Sequence, residues 1–561
     1  MADMFSLKRS VLIYLDKSGG LQKLTEDCKS YNDPPQNAMA IFRFCVGVNP
    51  TDVIEVDPEL GDRILHHPLQ ATALFQSVNV MLKLTHLPPF PDYKLDLAVF
   101  PRTHCCMRPV LMEGLAIAVT RVTKYTQSAR FLCSNDDCHF SSGFHHIRVH
   151  APGATESATV RNDFSCKTCS SPLKEDIQFR VLGDKQLVEL IHVDALKVLS
   201  AHQQSPLRYQ SVTLFLRDEL CNTMRIGQLY RVIGIPAHVH HWPNITWSVE
   251  VNNVQPWEPQ YPHDINAKFK QLLKATGRSP WRFAAVIVHC FDLNMTPPGL
   301  YHTLKLSLLL SLVQTRGDAK NTSHLNLLVT AGDTLIVERL MRYSLSLSCR
   351  GVRHEASREI FASLSHDEHG AGTANIHAGS ALLANGGICM LGDLSSFRKD
   401  KLDAIETVLD SRTVSVFIPG KKYGKDADQH LTFPISCSFW ALADSTQSSR
   451  RTYDAEMGPV PPQLAASFGL IVKCQDPVKE HAVLSLTAHT LQQAVQPGKH
   501  LYSSLDFSTQ DYKELVAYAQ TLQVDLSPAT QKLIRGYFMA TCRVRSQIHS
   551  NKMSAAFLKL L

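Results

Sequence analysis

The stretch His324–Tyr343, HLNLLVTAGDTLIVERLMRY, constrains the fold more than any other part of this chain. Its apolar run LNLLV reads as a buried strand, Gly332-Asp333 as a turn, and the residues after it as a helix. That order is the strand–loop–helix with which a P-loop holds phosphates. The chemistry there needs small residues for close backbone approach, a Lys for the β/γ-phosphates, and a Ser or Thr for magnesium. After Gly332-Asp333 the chain continues Thr-Leu-Ile-Val-Glu-Arg, with no further glycine, no lysine and no hydroxyl at the magnesium position. The scaffold of a nucleotide site is written out and its working parts are missing.

The chain has 561 residues, enough for about three or four domains. With 44% hydrophobic and 19% charged residues it belongs with ordinary globular proteins rather than disordered or fibrous ones. A net charge of +6 suits a polyanionic partner, though many basic proteins bind no nucleic acid. The N-terminal MADMFSLKRSVLIYLDKSGG lacks the apolar core and cleavage site of a signal peptide. No window approaches about 18 consecutive apolar residues, and Leu306–Val313 is too short for a membrane span, so no membrane partner is expected. Fifteen cysteines without secretory context imply reduced thiols in cytosol or nucleus, with room for one metal site.

Residues 1–95 carry helical spacing, as in Ile64, Leu65, Leu69, Ala73 and Leu74, until the prolines of HLPPFPDYK stop it. From Leu97 to Trp257 the pattern becomes short β-type runs: LAVF, LAIAVTRV, FRVL, VTLFL and LYRVIGIP. They read as an antiparallel OB-type barrel over 96–257 with an insertion at about 131–175. A linker is expected at 258–284, an α/β domain with a mostly parallel sheet over 285–545, and a tail at 546–561. The expected fold class is therefore multidomain, α+β followed by α/β.

The insertion holds CSNDDC (Cys133, Cys138) and CKTC (Cys166, Cys169), with 27 residues between the pairs. Four thiolates at these spacings can close a tetrahedron around zinc, each pair on a tight knuckle. The bland alternative is four scattered buried cysteines, and His139, His145 and His146 could substitute as ligands. A closed four-thiolate site has no open position, so its role would be structural. Further on, HVHHWPNITW (His238–Trp247) places aromatics and histidines in an expected hairpin, able either to contact nucleic acid or to pack on its own barrel.

Many motifs in one order resemble the minichromosome maintenance (MCM) replicative-helicase family, over nearly the whole chain. SPLRYQSVTLFLRDELCNTMRIGQLYRVIGI is similar to that family's barrel segment, and LYHTLKLSLLLSLVQT to the helix before its P-loop. HLNLLVTAGD, GSALLANGGICMLGDLSSF, LDAIETVLDSRTVSV and CSFWALADS resemble its successive nucleotide-site and hairpin motifs. The resemblance implies an AAA+ P-loop domain in degenerate form. Anchored on Gly332-Asp333, the family's P-loop Lys falls on Glu338 and its Ser on Arg339; anchored on the following LMRY, the Lys falls on Val337. A carboxylate beside the phosphates turns attraction into repulsion, each unit-charge interaction being about 4 kcal/mol at ~4 Å and an effective dielectric of ~20. The magnesium-side Asp falls on Gly392 and the catalytic Glu on Asp393. Asp393 could replace the former only if the backbone bulges, because side chains alternate along a strand. The water-orienting Asn becomes Asp444 and the arginine finger Ser467. The ATPase reads as dead: no catalytic residue, and no ATP as cofactor, is expected.

The family's hairpin lysine for DNA falls on Ile418, but Lys421, Lys422 and Lys425 follow at once in PGKKYGKD, a turn able to touch phosphates. The chain ends at Leu561, near where the family's last lid helix begins, so its second-sensor arginine is expected to be missing. Taken together, the resemblance implies a nuclear, DNA-associated scaffold of meiotic recombination and double-strand-break repair. Its expected partners are DNA, through the phosphate backbone, and other MCM-family or recombination proteins. Two rivals stay open: a helicase subunit whose sites are completed by partners, and a protein-interaction scaffold without DNA affinity.

Overall fold

Prolines set the rhythm of the first hundred residues. In the computed structural model the helices α3 (Pro50–Val56), α4 (Pro58–His66) and α5 (Pro68–Gln76) each begin on one. A missing N–H costs nothing at the first helical position. The Asn49 and Asp57 side chains, just ahead, accept from the amides of Thr51 and of Glu59 and Leu60. Before them lie α1 (Ala2–Lys17), α2 (Gly20–Tyr31) and β1 (Phe44–Val48), and after them β2 (Val80–Leu84). From α1, Leu7, Val11, Tyr14 and Leu15 are buried against Val48, Ile64 and Phe75. The region expected to be helical therefore also holds a small parallel sheet, β1 against β2. The structure describes residues 2–31, 44–97, 108–138, 145–147, 165–196, 210–258, 264–313, 324–366, 373–423, 427–445, 460–474, 480–496, 507–522 and 526–547, apart from 79, 167 and 242–243.

The next strands are β3 (Val110–Thr120), β4 (Thr123–Cys133), β5 (His145–Ile147), β6 (Leu173–Ile191), β7 (Val212–Arg217), β8 (Leu229–His241) and β9 (Asn244–Pro256). β3 pairs with β6 and β8, β8 with β9, β9 with β7, and β7 with β6, which closes a five-stranded ring. Every pairing is antiparallel except β7 with β9. Met112, Leu190, Leu214, Val232 and Val249 fill its centre at 0% exposure, one from each strand. β4 and the first half of β6 run on as a two-stranded arm that ends on the pair Cys133 and Leu173.

The remaining elements are α6 (Ala267–Ala275), α7 (Pro280–His289), α8 (His302–Val313), β10 (Leu327–Ala331), α9 (Thr334–Leu347), β11 (Gly351–Arg353), β12 (Ala362–His366), β13 (Ala374–Ala378), α10 (Ser380–Leu383), β14 (Ile388–Asp393), α11 (Lys399–Ser411), β15 (Thr413–Ile418), α12 (Gly420–Tyr423), β16 (Gln429–Pro434), β17 (Ser438–Asp444), α13 (Pro462–Ser467), β18 (Leu470–Cys474), α14 (Glu480–Val495), α15 (Thr509–Thr521) and α16 (Pro528–Gln547). Five strands form one all-parallel sheet in the order β11-β14-β17-β10-β18. Its central strands are buried on both faces, as the runs LLVTA and SFWALA require. Alternation sorts their side chains. Leu327, Val329, Trp440 and Leu442 face a helical core with Phe269, Leu308 and Tyr512. Leu328, Phe439 and Ala441 face the core that continues into the five-stranded ring.

Part of the expected linker is helix. Phe269 of α6 is fully buried and stacks on Phe507 with ring centroids 4.7 Å apart. Its apolar face lies among lysines, and that polar surround is what reads as a linker. Nor does the sequence reveal how the two halves are joined. The β12–β13 hairpin continues the ring's sheet by pairing Asn375 with Thr120 and Ile376 with Val119 of β3. Buried Arg350 donates to the carbonyls of Gly227 at 2.5 Å and Leu383 at 2.7 Å, which fastens the parallel sheet to the ring. No described helix is long and apolar enough to cross a membrane.

Candidate nucleotide pocket and metal centre

Open parallel sheets bind ligands outside the carboxyl ends of their strands, so the turn between β10 and α9 decides what this sheet can hold. That turn is two residues long: β10 ends at Ala331 and α9 begins at Thr334. A G-x-x-x-x-G-K-[ST] loop needs more chain than this to wrap a phosphate. The Asp333 carboxylate caps α9, its Oδ1 accepting from the Ile336 amide at 3.3 Å. A free helix N-terminus attracts anions, and here the chain supplies its own.

Glu338 is not at that end. It lies one turn into α9, where its Oε1 accepts from Arg342 and from Arg353 of β11, both at 2.7 Å. Partial burial works to raise its pKa, but Arg342 and Arg353 outweigh it and hold the carboxyl below its ordinary range. It clamps helix to strand and does not face a phosphate. Val337, the alternative position, is fully buried. Arg339 sits beside Glu338 on the same helix. The carboxylate at the turn between β10 and α9 is Asp333.

β14 does bulge. Met390 pairs with Trp440 and Gly392 with Ala441, so Leu391 is extra. Gly392 takes φ +82°, which a glycine adopts without strain. Asp393 thereby pairs with Leu442, the place that residue 392 would fill in an unbroken strand. Its oxygens are engaged locally, accepting from the Ser395 amide at 3.0 Å and the Ser395 hydroxyl at 2.5 Å. Asp444 ends β17 opposite Ala331. Three adjacent strand ends thus carry Asp333, Asp393 and Asp444, a negative rim for a negative ligand. Ser467 closes α13 and donates to the Gln463 carbonyl, at 3.4 Å.

At the tip of the β4–β6 arm the structure gathers Cys133, Cys138, Cys166 and Cys169, all four sulfurs within 4.8 Å of one another. Cys133 and Cys169 sulfurs are 3.3 Å apart, and those of Cys138 and Cys166 3.9 Å. A tetrahedral metal–thiolate site with bonds of ~2.3 Å has sulfur–sulfur edges of about 3.8 Å, so the cluster could hold a metal ion. Two knuckles shape it. The Cys138 amide donates to the Asn135 carbonyl, and the Ser170 amide to the Cys166 carbonyl, with Ser170 at φ +56°. The Cys169 and Thr168 amides hold the Cys166 thiol below its usual range, and the Ser171 hydroxyl and amide draw Cys169 down to about 6. Although the Asn135 amide works to lower Cys133, burial and three neighbouring thiols hold it up at about 12. Four adjacent thiols cannot all ionise alone; a divalent cation would displace the last proton. His139 lies outside the described residues, and His145 and His146 pair within β5 on β4.

The third candidate region is the β15–β16 hairpin. Val414, Val416 and Ile418 point inward and are buried, whereas Phe417 points outward beside His430 with centroids 4.8 Å apart. Lys421 and Lys422 are exposed on α12, and Lys422 Nζ lies 5.2 Å from the Tyr423 ring. Tyr423 is buried and its ring lies tilted against His366 at 4.6 Å, so this part of the expected turn is one anchored helical turn. Lys425 lies outside the described residues. The β8–β9 hairpin is formed, with His241 opposite Asn244.

A family model described as "MCMDC2, N-terminal domain" matches residues 7–92. Minichromosome maintenance domain-containing protein 2 of Rattus norvegicus is 47% identical, over 99% of this chain and 86% of its own length. The chain belongs to the minichromosome maintenance domain-containing protein 2 family. The Homo sapiens member is 45% identical over 99% of this chain and 86% of its own. A more distant relative is the DNA replication licensing factor MCM4 of Oryza sativa subsp. japonica, 21% identical over 87% of the chain. Glu338 thus lies within α9, and the carboxylate at the β10–α9 turn is Asp333. The helix-capping signal, an Asp immediately before the periodic run TLIVERLMRY, could have found Asp333.

Proposed function

We propose that this chain is a catalytically inactive, DNA-associated scaffold built on an OB-type barrel, a structural zinc ribbon and a degenerate AAA+ domain. One observation carries the reading: the two-residue turn between β10 and α9, filled by the Asp333 cap. A triphosphate there would lack both a cradle and a lysine and would meet Asp333, Asp393 and Asp444. The ring with its single parallel pairing supports an OB-type barrel, a fold that binds nucleic acid on its strand face. The sheet order supports an AAA+ scaffold. The sulfur spacing suits zinc, which would be held by Cys133, Cys138, Cys166 and Cys169 and would fix the arm.

Cations of the barrel and of the β15–β16 hairpin, among them Lys421, Lys422 and Lys425, hold the DNA backbone, while the α/β domain docks protein partners. Kinship with the domain-containing branch supports a nuclear role in meiotic recombination and double-strand-break repair. The test is paired: calorimetric titration with Mg-ATP, and DNA binding titrated with salt. Absence of nucleotide binding together with salt-sensitive DNA binding supports the reading. Loss of DNA affinity even at low salt would favour a purely protein-binding scaffold.

A second reading has one observation behind it. The β14 bulge brings Asp393 opposite Leu442, which supports a magnesium-side carboxylate in a site completed by a neighbouring subunit. ATP turnover that tracks protein concentration and vanishes in Asp393→Asn would establish that reading.

A further inference from the structure

The turn between α7 and α8 encloses polar groups that nothing in the nucleotide or DNA reading uses. Asp292 is 3% exposed, and Thr296 and Lys305 are fully buried. Among the described residues, neither carboxylate oxygen of Asp292, nor Thr296 Oγ1, nor Lys305 Nζ has a partner at full hydrogen-bond geometry, although the Met295 amide lies near enough to the Asp292 carboxylate to favour its charged form. Three helices close over this turn. His489 of α14 contacts the Leu293 carbonyl at 2.7 Å, and the Tyr512 hydroxyl of α15 donates to the Ile287 carbonyl at 2.9 Å. Phe291 meets Tyr343 of α9 and Tyr512 edge to face, at 5.3 and 5.2 Å. Asp292 is also held at φ +47° and Tyr301 at φ +56°, where side chains other than glycine are strained.

A buried carboxylate and a buried ammonium without partners are strongly unfavourable, and native proteins satisfy such groups. The arrangement limits what could satisfy them. Lys305 repels a metal cation, Asp292 repels an anion, and all three side chains are buried away from bulk solvent. A small neutral donor–acceptor fits: it can donate to Asp292 and accept from Lys305 and Thr296. We infer that Asp292, Thr296 and Lys305 enclose ordered water that bridges carboxylate to ammonium and makes the α7–α8 turn a proton-sensitive joint beneath α14 and α15.

Burial pushes Asp292 up to about 7, against the pull of Lys305, and pushes Lys305 down to about 8, against the pull of Asp292. The other titratable groups around the joint are Cys290, His289, His302, Tyr343, His489, Tyr512 and Asp511. Burial raises both tyrosines, Tyr343 to about 12, so they stay neutral in this range. Asp292, with its raised pKa, contributes stability at acid pH that is lost as pH rises through about 7. Lys305, with its lowered pKa, contributes stability at alkaline pH that is lost as pH falls through about 8. The pair therefore contributes a local stability minimum between these values, where both groups are charged.

The test uses the full chain. Melting temperature is followed from pH 5.5 to 9.5 for the native protein, Asp292→Asn, Lys305→Met and the double variant, beside a high-resolution crystal structure. The double variant should melt higher than native near pH 7.5 and lack the minimum, and Asp292→Asn should lose stability that is regained above pH 8. Density within hydrogen-bond distance of Asp292, Thr296 and Lys305 should mark the water. A direct Lys305–Asp292 contact with nothing between them would overturn the inference. So would losses independent of pH in the single variants, which remain readable if the double variant fails to fold.

Discussion

Replacing Glu338 with lysine separates the sequence register from the folded geometry. By register the substitution restores the phosphate-binding lysine. In the fold it removes the acceptor shared by Arg342 and Arg353, each 2.7 Å away, and sets a third cation between them. A hydrogen bond to a charged group is worth ~1.5–3 kcal/mol when well buried. The side chains here are 25% exposed for Glu338, 37% for Arg342 and 19% for Arg353, so solvent screening reduces that. Glu338→Gln should then cost about 2 kcal/mol, and Glu338→Lys more, about 3 kcal/mol, because like charges meet. Since the carboxyl's pKa is lowered in the fold, the clamp's contribution is present above the ordinary value of 4.5 and is lost as pH falls through the folded value. Urea denaturation at pH 7 and pH 4 measures both effects, and calorimetry with Mg-ATP measures any gain in affinity. Stability should fall and nucleotide affinity should not appear. A Glu338→Lys protein that keeps its stability and binds ATP would show that the placement of α9 is wrong.

Purified protein should carry one zinc per chain by native mass spectrometry, and Cys133→Ser or Cys169→Ser should release it; a metal-free, well-folded native protein would remove the ribbon. Lys421→Glu with Lys422→Glu should weaken DNA binding and reduce the slope of log K against log salt by about 1–2, at ~0.7–0.9 per phosphate contact; an unchanged slope would take the hairpin out of the DNA interface. Gly227→Ala should destabilise the junction of ring and sheet, because Gly227 sits at φ +77° and an added Cβ would lie 2.2 Å from the Leu382 carbonyl oxygen. Chemical denaturation with unaltered stability would contradict that packing.

The parallel sheet was legible because LNLLV and CSFWALAD are apolar runs bounded by turn residues, and buried parallel strands look like that. The cysteine cluster was legible because C-x4-C and C-x2-C spacings have few other uses. Three things were not. The place of Glu338 inside α9 was hidden because motif alignment counts residues along the chain, whereas the helix start at Thr334 is set by the fold. The pairing of β13 with β3 joins residues more than 250 positions apart, and no local period encodes a partner at that distance. The buried Asp292 and Lys305 were equally invisible, since a charge inside an otherwise apolar helix such as HTLKLSLLLSLV reads as surface.

The most direct test of the central claim is the affinity of the purified full-length chain for Mg-ATP, measured by calorimetry at low salt. A two-residue turn sealed by Asp333 predicts no detectable heat of binding at millimolar nucleotide. Saturable binding at one site, abolished by Asp393→Asn alone, would contradict it and favour the reading of a nucleotide site completed by a neighbouring subunit.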